Sequence, residues 1–570
     1  MPAIATARTQ PHRFVPDEFD PTHAAAVTHL YGRLEERDIS TCQALEDFIL
    51  DWEELDAVIT ECYARSYVDM TSDTTNPDYK DLYLKVVQEV VPVAEQKGFD
   101  LKQKLLTSPA LDQLGDEYEV FLRNMRAEVE IFREENVPLF TEERKLDQEF
   151  EEISGAQQAE FRGQVYPLPQ LARFLEETDR ATREEAWRVR AEARYTDAGA
   201  LDALYDRMYE VRQQIAANAG FANYRDYQFK AMKRFDYTPE DCLAFHDAIE
   251  KHIVPVIVED QERRKTLLGL DTLRPWDLNV DPDGKEPLRP FDSVDRLKAG
   301  CERIVLSIDP ELGLFFRTMM DQHLLDLESR PGKSPGGYMM SFPDKRVPFI
   351  FMNAVGTKRD VDVVLHEGGH AFHYFLAREL PLNSYHHASL EFSEVASMTM
   401  ELLSRPYMSE FYAEEQLPRL MDEQLREALR FFPFMAMIDA FQHWAYTTPD
   451  HGPQVRRARW AELEQRFRPG VDWTGLEPYR DAGWQYPHVF SVPFYYVEYG
   501  IAQLAAFKVW LNSLKDEKEA LRAYKRALAL GGSRPLPDLF KAAGAEFGLN
   551  DRIVSAIIRD TVAQIGSRDQ

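Results

Sequence analysis

The sequence predicts a mainly α-helical protein with one small β-sheet. Apolar residues recur at helical spacing along most of the 570 residues, as in "QALEDFILDWEELDAVITECYARSYVDM" and "DEYEVFLRNMRAEVEIFREEN". A clear strand pattern occurs in one place, where "GGYMMSF" (336–342), a Pro-Asp turn and "VPFIFMN" (347–353) indicate a hairpin. The hairpin directly precedes a segment with several histidines, so we expect the sheet to lie beside that segment.

Composition and charge restrict the classes of partner. Hydrophobic residues make up 44% and charged residues 29% of the chain, which is ordinary for a globular protein. The net charge of −30 argues against nucleic acid or an anionic membrane as a partner, because both require a basic surface. There is no run of 18 apolar residues, and the first residues lack the apolar stretch of a signal peptide. We therefore expect no membrane segment and no export.

The cysteines give no sign of a disulfide framework. Cys42, Cys62, Cys242 and Cys301 are scattered, and no two of them form a CxxC pair. In a chain of this size they are interpreted as reduced structural thiols, and the protein is expected to be cytoplasmic.

A change in pattern near residue 165 suggests a division of the chain. The stretch "FRGQVYPLPQ" (161–170) has two prolines and a glycine between long helical segments, and its apolar residues indicate a short extended segment. We predict an N-terminal helical region, 1–165, and a second helical region, 166–570, which includes the histidine segment.

The segment "LHEGGHAFHYF" (365–375) has the spacing of a zinc site. On a helix, His366 and His370 share one face with their Cβ atoms about 5–6 Å apart, so both can reach one zinc at about 2.0–2.1 Å. Glu367 follows the first histidine and can accept a proton from a water on the metal. Thr357 is the predicted N-cap. The alternative is a pair of histidines hydrogen-bonded in a core, because short motifs also arise by chance.

The third metal ligand is expected to be a glutamate. A third histidine in the extended form of the motif would require Gly at 373 and His at 376, where this chain has His373 and Leu376. The next predicted helix, "SLEFSEVASMTMELLSR" (389–405), is apolar nearly all round, which indicates burial.

Three glutamates, Glu391, Glu394 and Glu401, lie along one side of that helix. Buried carboxylates need a cation or strong hydrogen-bond donors. We predict Glu394 as the third ligand and Glu391 as the residue that orients a ligand histidine through its second ring nitrogen. The alternative is a solvated row of carboxylates.

These motifs resemble a known family. "HEGGHAFHYF" followed by "EFSEVASMTMELL" is similar to the zinc oligopeptidases typified by thimet oligopeptidase, and more closely to the oligoendopeptidase F and Pz-peptidase branch. The stretches "DRATREEAW", "AGFANYRDY", "PFIFMN" and "ALALGGSRPLPDLFKAAGAEF" fit the same branch. The likeness extends from about residue 140 to the end of the chain.

The resemblance implies a helical fold in two lobes with a deep substrate channel. It implies one Zn²⁺ per chain, bound by His366, His370 and Glu394, with Glu367 as the general base. The activity implied is hydrolysis of internal bonds in short peptides.

The resemblance also assigns roles to "YPHVFSVPFYYVEYG" (486–500). His488, Tyr499 and Tyr496 are expected to act in catalysis, and Tyr495 in substrate binding. A tyrosine hydroxyl stays protonated at pH 7 and can donate to an oxyanion. Which of the three tyrosines does so stays open, and aromatic core packing is the alternative for each.

The predicted hairpin is a candidate peptide-binding strand. Gly336 and Gly337 would let a substrate backbone approach closely, with Tyr338 as the next contact. The alternative is a hairpin without a binding role. His387 is a further candidate for substrate contact, from its position in the related family.

Other functions stay open at this level. A zinc carboxypeptidase or dipeptidyl carboxypeptidase of related fold would carry the same ligands. A non-hydrolytic peptide-binding protein and a structural helical scaffold are more distant alternatives. Short peptides are the expected partners, and the sequence does not predict the oligomeric state.

Overall fold

Helices dominate the structure, as the periodicity predicted. The computed structural model describes residues 11–286 and 288–565 and is 68% helical. The first ten residues, on which the expectation of no signal peptide partly rests, lie outside the described part. Within the described ranges, no helix is both long and apolar enough to cross a membrane.

The α-helices, in chain order, are α1 (Ala24–Glu35), α2 (Cys42–Ser72), α3 (Pro77–Lys85), α4 (Val91–Leu106), α5 (Glu119–Ile131), α6 (Val137–Ala156), α7 (Leu168–Leu171), α8 (Arg180–Thr196), α9 (Ala198–Asn218), α10 (Tyr224–Ala231), α11 (Pro239–His252), α12 (Val254–Leu267), α13 (Val294–Ile308), α14 (Pro310–Asp321), α15 (Lys358–Ala377), α16 (Leu390–Leu403), α17 (Leu417–Thr447), α18 (Pro453–Phe467), α19 (Glu477–Asp481), α20 (Pro487–Phe490), α21 (Tyr496–Ser513), α22 (Glu517–Leu528), α23 (Leu536–Ala542) and α24 (Asp551–Val562). The strands are β1 (Gln158–Phe161), β2 (Gln164–Pro167), β3 (Leu325–Glu328), β4 (Tyr338–Phe342) and β5 (Val347–Ala354).

The predicted hairpin is present as β4 and β5. The two strands are antiparallel, with Tyr338 opposite Phe351 and Phe342 opposite Val347. A third strand, β3, pairs in parallel with the other side of β5, so that β5 is central and β4 lies at an edge. β5 is buried along nearly its whole length, as expected for a central strand. The sequence analysis missed β3, whose four residues are too few for a periodic signal.

The described residues divide into two compact units that differ from the predicted regions. Within the described residues, the first unit draws on 11–130, 288–421 and 502–547, and the second on 131–286, 422–501 and 548–565. The extended segment predicted near residue 165 is the β1–β2 hairpin, but it lies inside the second unit. Each unit combines segments remote in sequence, so local composition could not reveal its limits.

The connection from β5 to α15 positions the histidine helix. Gly356 has a φ of +91°, which favours glycine, and α15 begins two residues later. The Asp360 carboxylate accepts a hydrogen bond from the backbone N–H of Thr357 at 2.8 Å. Thr357 is the N-cap, as predicted.

The two adjacent glycines of α15 have different neighbours. A Cβ on Gly369 would lie 2.6 Å from the Ala396 carbonyl oxygen and 2.6 Å from the Cα of Ser397, both on α16. A Cβ on Gly368 would meet only the Phe372 ring, at 3.6 Å. Gly369 therefore allows the backbones of α15 and α16 to approach closely, and this approach brings their metal-ligand candidates together.

Candidate metal centre

The three predicted ligands converge in the first unit. His366 and His370 lie one turn apart on α15, and Glu394 lies on α16. Their ligand atoms are all within 4.8 Å of one another. Glu394 Oε2 lies 3.3 Å from His366 Nε2 and 3.7 Å from His370 Nε2.

This donor set fits a zinc ion. A tetrahedral zinc with ligands at about 2.0–2.1 Å spaces its ligand atoms by about 3.3–3.5 Å, close to the observed separations. The Glu394 carboxylate is 5% exposed, and a buried carboxylate needs a cation or donors. Ser397 supplies one donor, since its hydroxyl bonds to Glu394 Oε2 at 2.8 Å.

The second nitrogens of the ligand histidines are also engaged. His366 Nδ1 lies 2.6 Å from Glu401 Oε1. Such a contact fixes the ring and leaves Nε2 as the ligand atom. The His370 ring also has a hydrogen bond to the backbone of Ser393, although burial dominates and favours the neutral ring.

The sequence analysis assigned the orienting role to Glu391. Glu391 is buried in the first turn of α16, but the carboxylate bonded to His366 is that of Glu401. Glu401 follows Glu394 by seven residues, two helical turns along the same face, and that spacing was the available signal.

The electrostatics of the cluster follow from burial and close charges. Burial opposes the protonation of His366, but its contacts with Glu394 and Glu401 outweigh burial and raise the pKa of the ring. Burial lowers the pKa of His370 to about 4. Burial also disfavours ionised Glu394, yet the two histidines and Ser397 hold its pKa below the ordinary value. Glu394 is therefore an anion at neutral pH, suited to binding a cation.

Glu367 lies next to the first ligand histidine and also contacts the sheet. It follows His366 on α15, and the backbone of Met339 on the edge strand β4 bonds to its carboxylate. Burial raises the pKa of Glu367 to about 7, while His366 and the Met339 contact act in the opposite direction. A carboxylate with such a pKa can accept and return a proton near neutral pH.

The residues proposed for substrate contact in the first unit have varied surroundings. Gly336 and Gly337 are exposed just before β4. The Tyr338 hydroxyl lies 2.6 Å from Thr71 Oγ1, and its ring stacks on Phe351, so this side chain is engaged within the unit. His387 Nε2 lies 2.9 Å from the hydroxyl of Ser341 on β4.

The histidine and tyrosines predicted downstream form a cluster in the second unit. The His488 ring lies 4.2 Å from that of Tyr496, and the hydroxyls of Tyr495 and Tyr499 are 3.1 Å apart. Burial lowers the pKa of His488 to about 4 and raises that of Tyr496 well above its usual range. The His488 ring is therefore neutral and the Tyr496 hydroxyl protonated at pH 7.

Buried polar side chains hold this segment in place, and the sequence analysis missed them. Gln442 on α17 donates to the His488 carbonyl at 2.5 Å and accepts from the Phe494 N–H at 2.8 Å. Arg234 donates to the Phe494 carbonyl and pairs with Glu498 at 2.7 Å. Phe494 has a φ of +68°, so these bonds stabilise an uncommon backbone conformation. No local pattern in the sequence connects residues so far apart.

The comparisons with known proteins agree with this geometry. The model of peptidase family M3 matches residues 173–557, which is more than half of the chain. The chain belongs to peptidase family M3. Together with the names of its relatives, this membership makes the chain a metalloendopeptidase of the oligopeptidase type.

Individual relatives support the predicted branch of the family. An oligoendopeptidase F homologue from Borreliella burgdorferi is 22% identical over 517 residues, covering 82% of each chain. Oligopeptidase PepF from Bacillus subtilis is 22% identical over 395 residues, covering 65% of this chain and 56% of its own. The solved structure of Pz peptidase A with an inhibitor superposes with a TM-score of 0.87 and 28% identity, covering 97% of this chain and 99% of the other. The oligoendopeptidase F and Pz-peptidase branch predicted from the motifs is confirmed, as is the mainly helical fold.

Proposed function

We propose that this metalloendopeptidase uses zinc to hydrolyse internal bonds of short peptides. The observation that carries the proposal is the convergence of His366, His370 and Glu394 around one point, with Glu367 beside them. Imidazole and carboxylate ligands in this number suit zinc and leave a coordination position open. The names of the relatives, oligoendopeptidase and oligopeptidase, support peptides as substrates and internal bonds as the point of cleavage.

The proposed mechanism assigns the proton transfers to Glu367. Zinc, when bound, supplies a Lewis acid that polarises the scissile carbonyl and increases the acidity of water. Glu367 accepts a proton from the attacking water as the new C–O bond forms, and donates it to the leaving nitrogen as the C–N bond breaks. Burial raises the pKa of Glu367, which favours its return to the protonated form between the two transfers. Glu401 fixes the His366 ring throughout.

The edge strand β4 is the proposed platform for the substrate backbone. β4 pairs with β5 on one side only, and its residue Met339 contacts Glu367. A peptide added to the open edge would run past the base, with Gly336 and Gly337 leaving room for it. In this arrangement Tyr338 acts through its backbone, because its hydroxyl is bonded to Thr71. His387, bonded to Ser341 of β4, is proposed as a further contact.

The roles of His488 and the tyrosines remain proposals based on the family resemblance. The protonated state of Tyr496 and the paired hydroxyls of Tyr495 and Tyr499 support donation to a developing oxyanion. Tyr499→Phe and Tyr496→Phe, measured separately, would show which hydroxyl acts. We expect the responsible one to lower kcat by about 10²–10³-fold, as for removal of one oxyanion donor.

The test of the function combines metal analysis with cleavage of a defined peptide. Purified protein is analysed for zinc and incubated with an internally quenched peptide blocked at both termini, with and without a chelator. For the wild type we expect bound zinc, internal cleavage of the peptide, and loss of that cleavage when the chelator is added. The variant His366→Ala should lose both the metal at this site and the activity. Cleavage that is insensitive to chelator would refute the metal mechanism. Cleavage restricted to peptides with free termini would instead indicate a carboxypeptidase or dipeptidyl carboxypeptidase.

A further inference from the structure

A second group of metal-ligating side chains lies in the second unit. Cys242 and His246 are one turn apart on α11, and Asp439 and His443 are one turn apart on α17. All four residues are between 0% and 2% exposed. Each of the two helices thus contributes one i,i+4 pair of side chains, and both pairs lie at the same buried position.

The distances fit a metal ion bound by three of the four residues. Ligand atoms of Cys242, Asp439 and His443 all lie within 4.8 Å of one another. His443 Nε2 is 3.3 Å from Asp439 Oδ2, close to the roughly 3.3–3.8 Å expected between ligand atoms of a tetrahedral zinc with one sulfur ligand. His246 Nε2 lies 2.8 Å from Asp439 Oδ2, a hydrogen bond that orients the carboxylate.

In the part of the chain that the structure describes, several buried polar atoms of this cluster have no hydrogen-bond partner. They are Asp439 Oδ1, His246 Nδ1 and both ring nitrogens of His443. Buried polar atoms are nearly always paired, and leaving one unpaired costs about 1–3 kcal/mol. A cation between the carboxylate and the His443 ring would bind lone pairs of both.

The charge of the cluster also calls for a cation. The Asp439 side chain is fully buried, and the side chains that contact its carboxylate are the two histidines, His246 at 2.8 Å and His443 at 3.3 Å. A buried anion without a cation is strongly unfavourable. A divalent ion would balance this carboxylate together with one thiolate.

A cavity leads to the cluster. Its volume is about 370 Å³, and His246, His443 and Trp444 contribute to its lining. The guanidinium groups of the lining are each paired with a carboxylate, in the pairs Arg225–Asp226, Arg459–Glu462 and Arg466–Asp247. These pairs reduce the repulsion that a cation in the cavity would meet.

We propose that Cys242, Asp439 and His443 form a second divalent metal site, with His246 supporting Asp439. Thiolate and imidazole ligands select zinc-class ions such as Zn²⁺ and Co²⁺ over Mg²⁺ or Ca²⁺. The bound ion would crosslink α11 and α17. Gln442, which holds the backbone at His488 and Phe494, precedes His443 on α17, so the site would also stabilise the helix carrying that contact.

Cobalt substitution distinguishes the two sites, because cysteine is a ligand only in the second. The full-length chain is stripped of metal and titrated with Co²⁺, and absorption is followed in the near-ultraviolet, where thiolate-to-cobalt charge transfer occurs. We expect this band in the wild type and in His366→Ala, which lacks a ligand of the first site. His366, His370 and Glu394 contain no sulfur, so the band reports the second site alone.

Variants and metal content complete the test. Cys242→Ser should abolish the band and lower bound zinc from about two to about one per chain. Cys301→Ser, at an equally buried cysteine on α13, is the matched control and should retain both. Added Zn²⁺ should raise the Tm of metal-stripped His366→Ala/Cys301→Ser but not of His366→Ala/Cys242→Ser.

Two results would overturn the proposal, one from the wild type and one from the Cys242→Ser variant. A wild-type protein without the charge-transfer band would show that the cluster is a metal-free polar core. A band that persists in Cys242→Ser would assign the sulfur ligand to another cysteine. Either result leaves the proposed peptidase function untouched, since that depends on the first site.

Discussion

Within the described residues, two clusters of side chains could hold a metal ion, and they differ in how the chain builds them. In the first, α15 and α16 follow one another, and 35 positions separate His366 from Glu401. In the second, α11 and α17 are remote, and 193 positions separate His246 from Asp439. Both use i,i+4 pairs, so the local geometry is the same while the distance along the chain differs greatly.

The two clusters also differ in exposure. The His366 side chain is 23% exposed, whereas that of His443 is 3% exposed. Glu367, the proposed base, lies beside the first cluster. The comparison indicates that solvent access and an adjacent base favour catalysis at the first cluster, whereas enclosure favours a structural role at the second.

Substitution of the proposed base, Glu367, should produce the largest effect on catalysis. Glu367→Gln removes the proton acceptor but no metal ligand, so kcat should fall by roughly 10²–10⁴-fold while the zinc content stays unchanged. Peptide turnover and metal analysis on the same preparation check this. Glu379→Gln, at an exposed glutamate just beyond α15, is the control. Full activity of Glu367→Gln would remove the chemical distinction between the clusters.

Glu53 is a buried carboxylate outside both clusters. Its pKa can be compared with the pKa values of Glu394 and Asp439, which lie beside histidines. The N–H of Ser384 bonds to Glu53, but burial dominates and raises its pKa to about 7, whereas the histidines beside Glu394 and Asp439 lower theirs. A raised carboxyl pKa means that Glu53 stabilises the fold below its unfolded pKa of about 4.3 and that this stability is lost as pH rises through about 7. The loss is on the order of 3 kcal/mol.

Glu53→Gln should remove this dependence on pH. The measurement is the Tm of wild type and variant between pH 5 and pH 8, where the variant should gain relative to the wild type as pH rises. Glu95→Gln, at an exposed position on α4, is the control. A constant difference between variant and wild type would contradict the assigned pKa.

Removing the Glu401 carboxylate, which contacts His366 Nδ1, should have a moderate effect on zinc affinity. Glu401→Gln keeps the side-chain volume but weakens the hold on His366 Nδ1, so zinc affinity should fall by about 10–100-fold. Competition with a chelator of known affinity measures this. Glu391→Gln, buried on the same helix, is the matched variant and should change zinc affinity less. The reverse order would support the orienting role predicted for Glu391.

The adjacent glycines should give the smallest effects, of opposite sign. Gly369→Ala places a methyl group against the α16 backbone and should destabilise the fold by about 1–3 kcal/mol. Gly368→Ala meets only ordinary contacts and should stabilise α15 by up to about 1 kcal/mol. Thermal unfolding of the two variants gives the comparison. Equal effects would show that α15 and α16 can separate without loss.

The sequence correctly predicted the structural features that depend on residues close together along the chain. The helical character, the β4–β5 hairpin, the N-cap at Thr357 and the proximity of His366 to His370 all follow from periods of two or 3.6 residues. Glu394 could be selected because its helix is the next one and is apolar nearly all round. β3 was missed because its partner contacts, and not its own four residues, make it a strand.

By itself the sequence determined the helices, the β4–β5 hairpin and the candidate donors of the first cluster, because one helix and its successor supply those donors. The tertiary structure alone decided that Glu401 reaches His366, that Gly369 faces the α16 backbone, and that Cys242 meets Asp439 and His443. It also decided the limits of the two units, each assembled from three stretches of chain. Such contacts depend on the relative placement of helices, which packing fixes and which no local period encodes.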